Sequence, residues 1–226
     1  MLSVLKKELK SYFYTPLGYI FIGVFLEVSS LIFYLYTFKY GEVNFAYVFY
    51  NSAIILTFVI GILTMNSFAG ERKNGTYQLI MTSPKSTTAI VLGKFLAGVI
   101  VVLITELISC MYLGIISFFG TPDVSTLLTT LLGFLLLTMA YISFGIFASS
   151  LTEQPITAYI ITALFFFASM YISQLSSVFS VISFVSLFEK FINGVIPVEE
   201  TVALVSFIVV CILLTIISVQ RRKNLK

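Results

Sequence analysis

The chain has 226 residues, of which 59% are hydrophobic and only 10% are charged, and its formal net charge is +3. Soluble domains carry about a quarter charged residues, so this composition excludes a water-soluble enzyme or binding domain and predicts a protein that crosses a membrane several times. There is no histidine, and the two cysteines, Cys110 and Cys211, lie inside apolar runs, so we expect no metal site and no haem.

The first predicted element is an amphipathic helix over residues 1–16. Its apolar positions share one helical face: Leu2, Leu5, Leu9, Tyr12 and Phe13. Three lysines, Lys6, Lys7 and Lys10, fall on the other side. Such a helix lies along a membrane surface with its lysines toward anionic headgroups. Thr15-Pro16 then changes the chain direction, because the residue before a proline avoids helical backbone. We expect residues 17–226 to form one membrane domain.

Six apolar runs follow, each of the length of about 20 residues that crosses a hydrocarbon core. They lie at 17–38, 47–68, 88–118, 125–149, 156–179 and 201–219. Pro155 is placed to start the fifth run as a helix. Basic residues gather in the segments on one side of these runs, with only Lys39 and Lys190 on the other. The pattern predicts an all-α protein of the cell membrane, with six transmembrane helices and both termini in the cytosol.

A polar insert, residues 69–84, separates the second and third runs. Asn74-Gly75 suits a left-handed helix C-cap, and Thr76 is placed to cap a second short helix that Ser83-Pro84 ends. We therefore expect two short helices joined by a tight corner. From the residues alone, a plain polar hairpin is an equal alternative, because basic residues are expected in short cytosolic loops.

Glu71-Arg72-Lys73-Asn74-Gly75-Thr76, then Leu79 and Pro84, then Val91-Leu92-Gly93-Lys94, resemble the signature of type-2 ABC exporter permeases. The likeness is greatest to the branch that holds gliding-motility permeases and the permease of nitrous-oxide-reductase maturation. It implies that residues 1–16 are an elbow helix and that residues 69–84 are a coupling helix that docks into a separate ATPase subunit. The implied docking residues are Glu71, Arg72, Lys73, Asn74, Gly75, Thr76 and Leu79. We expect charge contacts from Glu71 and Arg72.

Residues 180–200 are apolar but interrupted by Asn193-Gly194 and Pro197. One face of an amphipathic helix is predicted by the spacing of Phe184, Leu187, Phe188 and Phe191. The segment is too short to cross, so we expect a re-entrant or surface helix on the outer side. Phe188, Glu189 and Gly194 are its candidate contact residues for an extracytoplasmic accessory protein. This segment also resembles the gliding-motility branch, although Pro197 stands where that branch often has an acidic residue.

Two carboxylates, Glu27 and Glu106, lie inside predicted spans. A charge at mid-bilayer costs about 2.5–3.5 kcal/mol on insertion scales, so neither is expected to face lipid. Each is either hydrogen-bonded to a neighbouring helix or hydrated in a cavity. The candidate bonding partners are Ser29, Ser30, Thr105 and Ser109. A hydrated cavity favours cationic or amphipathic cargo.

The chain has no phosphate-binding loop of the G-x-x-x-x-G-K-[S/T] kind, because Gly93-Lys94 is followed by Phe95 and lacks the earlier glycine. We therefore expect no enzyme activity, with ATP and Mg²⁺ bound by the partner ATPase.

The leading hypothesis for the function of the chain is an exporter subunit that pairs with a second copy or a related permease. The alternative is a mechanical transducer that acts on an extracytoplasmic partner. An intramembrane enzyme lacks the required nucleophile and base, and no nucleic-acid partner is expected.

Overall fold

The computed structural model describes residues 1–39, 45–78, 82, 85–118, 123–175 and 183–224. These residues form helices and include no β-strand, which confirms the all-α prediction. The α-helices are α1 (Leu2–Tyr14), α2 (Pro16–Phe33), α3 (Phe45–Thr64), α4 (Ala69–Lys73), α5 (Thr87–Ser109), α6 (Met111–Ile116), α7 (Val124–Leu151), α8 (Pro155–Leu175), α9 (Phe184–Glu189) and α10 (Val198–Asn224). A π-helical turn, Tyr34–Lys39, extends α2, and a 3-10 turn, Lys190–Asn193, follows α9.

In the described part of the chain, 5 helical stretches are long and apolar enough to cross a membrane. They are α2 with its π-helical turn, α3 with α4, α5 with α6, α7 and α10, and each overlaps a predicted span. The remaining predicted span, 156–179, coincides with α8, whose apolar described part is the shorter Pro155–Tyr171. Five spans are therefore confirmed as candidate crossing helices, and a sixth crossing stays a prediction.

Local signals place the helix starts. Pro16 and Pro155 occupy the first positions of α2 and α8, where a missing N–H group costs nothing. The side chain of Ser86 accepts a hydrogen bond from the Ala89 amide at the start of α5. The carboxylate of Asp123 accepts one from Ser125 at the start of α7. Each cap satisfies an amide that the helix itself leaves unpaired.

The core surrounds α7, which packs against α3, α5, α8 and α10. Phe134 and Tyr141 of α7 are fully buried. The ring of Tyr141 lies 4.1 Å from the ring of Phe166 in α8, measured between centroids. Helix α7 therefore touches most of the other described helices and forms the centre of the bundle.

The segment after α8 packs into this core. Its predicted apolar face is confirmed, since Phe184, Leu187, Phe188 and Phe191 are all buried. The ring of Phe188 lies 5.9 Å from that of Phe134. Residues 180–182 of the predicted outer segment lie outside the described residues.

Helix α1 packs along α5, with Val4, Glu8 and Tyr12 as its buried positions. Leu2, predicted on the apolar face, is 69% exposed, and the membrane-surface position of α1 stays a prediction. The two helices approach closely at Gly93, where an added Cβ would lie 2.8 Å from Cγ1 of Val4. The contact turns the Val4 side of α1 inward and brings the carboxylate of Glu8 with it.

Candidate functional site

The polar insert contains a tight corner. Helix α4 ends at Lys73, and Gly75 follows with φ +71°, a left-handed backbone that glycine adopts without strain. The amides of Asn74 and Gly75 donate to the carbonyls of Gly70 and Arg72, both at 3.0 Å. The predicted C-cap at Asn74-Gly75 is therefore confirmed. We call residues 68–78 the corner segment.

Thr76 bonds backward along the chain. Its hydroxyl donates to the carbonyl of Glu71 at 3.2 Å, so it closes the end of α4. Tyr77 and Gln78 are helical, as expected for a second short helix. Leu79, Ser83 and Pro84 lie outside the described residues, so the predicted end of that helix is untested.

The ammonium of Lys94 is buried beneath the corner segment, with its side chain 1% exposed. It donates to Oε1 of Glu71 at 2.8 Å, to Oε1 of Glu8 at 3.1 Å and to the carbonyl of Ser67 at 2.8 Å. An ammonium has three N–H donors, and these acceptors use all three. A buried charge is tolerated when it is paired and hydrogen-bonded in this way. Lys94 thus joins α1, α4 and α5.

Lys7 extends the same cluster to the surface. Its ammonium lies 3.3 Å from Oε1 of Glu71 and 3.6 Å from Oε1 of Glu8, and its side chain is 57% exposed. Partial burial lowers the pKa of Lys7, but the two carboxylates outweigh that effect and hold the pKa above its usual value. We call Lys7, Glu8, Glu71 and Lys94 the ion-pair network. Its two lysines and two glutamates balance in charge.

Tyr12 attaches α1 to α3. Its hydroxyl donates to the carbonyl of Leu63 at 3.2 Å. Burial first, and then the nearby carboxylates of Glu8 and Glu71, raise the pKa of Tyr12, so the hydroxyl stays protonated and able to donate. Together with the ion-pair network, this bond fixes α1 on the membrane domain.

Two arginines bind the end of α7. Arg72 donates from Nη1 to the carbonyl of Thr152 and from Nη2 to the carbonyl of Ser150, each at 2.6 Å. Arg222 donates from Nη2 to the carbonyl of Leu151 at 2.8 Å. The last carbonyls of a helix lack partners within it, and cationic side chains also favour its negative end. The corner segment and the end of α10 therefore meet at the end of α7.

Ser149 holds the start of the corner segment. Its hydroxyl oxygen accepts hydrogen bonds from the amides of Phe68 and Ala69, both at 3.0 Å, and the hydroxyl donates to the carbonyl of Met65 at 3.0 Å. These groups are buried, so each needs a partner within the protein. The corner segment is thus bound to α7 at both its first turn and its arginine.

The predicted docking residues separate into two groups. Glu71 and Arg72 are half-buried and bonded within the chain, whereas residues 73–76 are exposed. Contact of any of them with an ATPase stays a prediction.

Sequence reasoning did not identify Glu8 and Lys94 as members of the ion-pair network with Glu71. The available signal was weak: Glu8 lies four residues from both Val4 and Tyr12, and Lys94 interrupts an apolar run.

A cavity of about 640 Å³ opens beside the corner segment. It is lined by Arg72, Lys73, Gly75, Tyr77, Gln78, Glu153, Gln154 and Arg222. These residues come from the corner segment, the link between α7 and α8, and the end of α10. Among the described residues, three cations and one carboxylate stand around the cavity, so this lining is basic.

The two membrane carboxylates are placed differently. Glu106 is 6% exposed, and neither of its oxygens has a hydrogen-bond partner in the described part of the chain. Thr105 and Ser109 donate to the carbonyls of Val101 and Thr105 in their own helix and not to Glu106, so bonding or hydration of Glu106 stays a prediction. Ser29 pairs with Ser52, and Ser30 donates to the carbonyl of Leu26. Glu27 is exposed on α2.

The candidate residues of the outer segment also differ from one another in burial and bonding. Phe188 is fully buried, so it holds the segment in the bundle, while Glu189 is exposed. Gly194 has φ +77°, and its carbonyl accepts a hydrogen bond from the hydroxyl of Ser125 at 2.9 Å. The neighbouring Lys190 forms an ion pair with Glu200 at the start of α10.

A comparison with curated proteins finds no match to this chain. The family model described as ABC-2 family transporter protein matches residues 26–221. That range holds the corner segment, Lys94 and nearly all of the apolar helices. Permeases of this family work with an ABC ATPase. The chain therefore belongs to the ABC-2 transporter family, as the multi-pass membrane subunit of an ABC transporter.

Proposed function

We propose that this chain is the permease of an ATP-driven exporter and that the exposed tip of its corner segment, residues 73–76, docks with the ATPase subunit. The observation that carries the proposal is a contrast within that segment. Its base is bonded to α1, α5 and α7 through Glu71, Arg72 and Ser149, while its tip is exposed. A tip on a fixed base can pass a displacement inward, whereas a flexible loop would absorb it.

The transmission route begins at the base. Movement of α4 pulls on Lys94 through Glu71, and Lys94 belongs to the first turns of α5, a candidate crossing helix. The same movement pulls on the end of α7 through Arg72. Nucleotide-driven closure of two ATPases would in this way tilt α5 and α7 in each of two paired permeases. Such a switch requires two arrangements that differ in affinity for the nucleotide-bound ATPase.

Charge supports a cytosolic position for this end of the bundle. Contacts from Lys7 to Glu71 and from Arg222 to Leu151 gather the N-terminal helix, the corner segment and the end of α10 at one end. Basic residues are concentrated there: Lys6, Lys7, Lys10, Lys73, Arg221, Arg222 and Lys223. Basic segments stay on the cytosolic side, so we place both termini in the cytosol, with α8 as a sixth crossing.

The alternative function is a mechanical transducer that acts on an extracytoplasmic partner. Exposed apolar side chains within the outer segment, residues 180–200, favour it, namely Val195, Ile196 and Val198. Replacing these three residues with serine should abolish function in a transducer and leave an exporter active. Cellular activity of the triple variant separates the two functions.

A glycine substitution tests the docking proposal. Gly75→Val forces a left-handed backbone on a β-branched residue, at a cost of about 1–3 kcal/mol, although there is open space around it. We expect normal insertion, normal permease abundance and loss of the permease-dependent change in ATPase turnover in liposomes. Gly23→Val is the matched control, because Gly23 also faces open space but has ordinary helical backbone. Unchanged turnover in Gly75→Val would refute the proposal.

A further inference from the structure

We infer that the cavity beside the corner segment receives an acidic side chain, aspartate or glutamate, of the ATPase subunit. The inference rests on the proposed function and specifies its interface. The cavity is about 640 Å³. Cavities of roughly 300–1,000 Å³ hold small molecules, so this one has room for a partner side chain and part of its backbone.

The charged side chains around the cavity carry an excess of positive charge, which an added carboxylate would reduce. In the described lining, Arg72, Lys73 and Arg222 face one carboxylate, that of Glu153. The ammonium of Lys73 is exposed and has no ionic or hydrogen-bond partner among the residues that the structure describes. Complementary charge across an interface speeds association and selects the partner. An acidic group from outside is therefore the favoured occupant.

A second observation is the unused donor of Arg72. Its two Nη atoms bind the carbonyls of Ser150 and Thr152, but its Nε is buried without a hydrogen-bond partner in the described part of the chain. An unpaired buried N–H group costs about 1–3 kcal/mol. A carboxylate that enters the cavity next to Arg72 can accept this hydrogen bond, and such charge-assisted bonds are strong.

The rim favours a polypeptide over a lipid headgroup as the source of the anion. Gln78 and Gln154 are exposed on it, and an amide side chain can both donate to and accept from a peptide backbone. The cavity also borders Gly75, at the exposed tip that we assign to the ATPase. Docking would then hold the corner segment, the α7–α8 link and the end of α10 together.

Charge reversal at Lys73 tests this inference. The chain is placed in nanodiscs of phosphatidylcholine alone, and the purified ABC ATPase subunits of the source cell are titrated one at a time. We expect Lys73→Glu to weaken the Kd of the cognate ATPase at least tenfold. Lys223→Glu is the matched control, because Lys223 carries the same charge, is exposed and belongs to α10 but does not line the cavity. Its Kd should change less than threefold.

A charge swap identifies the partner group. Aspartates and glutamates of the ATPase surface are replaced with lysine one by one, and we expect one replacement to restore binding to Lys73→Glu while weakening binding to the wild-type chain. Equal effects of Lys73→Glu and Lys223→Glu would overturn the inference but leave the proposed function intact. If the wild-type chain binds no ATPase, both the inference about the cavity and the proposed function are wrong. If phosphatidylglycerol in the nanodisc displaces the ATPase from the wild-type chain but not from Lys73→Glu, a lipid occupies the cavity and the inference is wrong.

Discussion

The ammonium of Lys94 lies 2.8 Å from the carboxylate of Glu71, and the two residues are 23 positions apart, with Glu71 near the start of the polar insert and Lys94 beyond its end, in α5. The ion pair closes the insert at its base. Because Lys94 also binds Glu8, the N-terminal helix is part of the same closure. These contacts to the membrane domain hold the orientation of α4.

Loss of the Lys94 charge should destabilise the chain strongly. Lys94→Met removes the shared cation from between Glu8 and Glu71 and leaves both carboxylates largely buried. Breaking a buried pair in this way costs about 3–5 kcal/mol. We expect a lower Tm in detergent by thermal-shift measurement, and partial recovery when Glu8→Gln and Glu71→Gln are added, because those changes remove the unpaired charges.

Lys6→Met controls for loss of a lysine, since Lys6 is exposed on the same side of the membrane domain. It should change the free energy of unfolding by less than about 1 kcal/mol, as surface substitutions do, and so leave the Tm close to that of the wild type. A Tm for Lys94→Met equal to that of Lys6→Met would mean that the ion-pair network does not stabilise the fold.

Replacing Arg72 with lysine should destabilise the chain. Its two Nη atoms reach separate carbonyls, those of Ser150 and Thr152, and the single ammonium of lysine does not reproduce that fork. We expect Arg72→Lys to cost about 1.5–3 kcal/mol, the range for hydrogen bonds to a charged group. Hydrogen–deuterium exchange should become faster at residues 150–153, where the end of α7 loses its partners.

The matched control is Arg221→Lys. Arg221 is exposed and makes no hydrogen bond or ion pair among the described residues. Exchange at residues 150–153 should match the wild type in this variant. Unaltered exchange in Arg72→Lys as well would show that the two carbonyl contacts are not maintained in solution.

The folded chain should become less stable in strong alkali because the ammonium of Lys7 loses its proton there. The folded chain holds the pKa of Lys7 above the usual 10.5. A lysine with a raised pKa contributes stability that is fully present below its unfolded pKa and is lost as the pH rises through its folded pKa. We expect the Tm to decline above about pH 10.4, the pKa of a free lysine, and to decline less in Lys7→Arg, because arginine stays charged.

Lys6→Arg provides the comparison, because it makes the same replacement on the exposed side of α1. Its Tm profile should follow that of the wild type. If Lys7→Arg and the wild type lose stability in parallel, the carboxylates of Glu8 and Glu71 do not hold Lys7 in the folded chain.

Much of the fold was predictable because local sequence determines it. Pro16 and Pro155 favour helix starts and Asn74-Gly75 favours a helix end, since these effects depend on the backbone of a few neighbouring residues. The buried face of α9 followed from helical spacing alone. The apolar runs located five candidate crossing helices for the same reason.

The contacts of the candidate site were less predictable because they join distant parts of the chain. Glu8 and Lys94 are 86 positions apart, and nothing in the neighbourhood of either residue indicates the other. Glu71 and Arg72 were predicted to contact an ATPase because their segment resembles the coupling helix of type-2 ABC permeases. The structure gives both of them partners inside the chain, which only the packing of α1, α5 and α7 makes available.

The close approach of α1 to Gly93 has a consequence for how the protein is made. Helix α1 leaves the ribosome before α5, which carries the surface that receives Val4 and Glu8. At about 5–20 residues per second, that surface follows on the order of ten seconds later. During this interval α1 lacks its docking surface on α5, and its lysines favour the anionic headgroups of the bilayer surface. Helix α1 is thus attached only after the third apolar run has emerged.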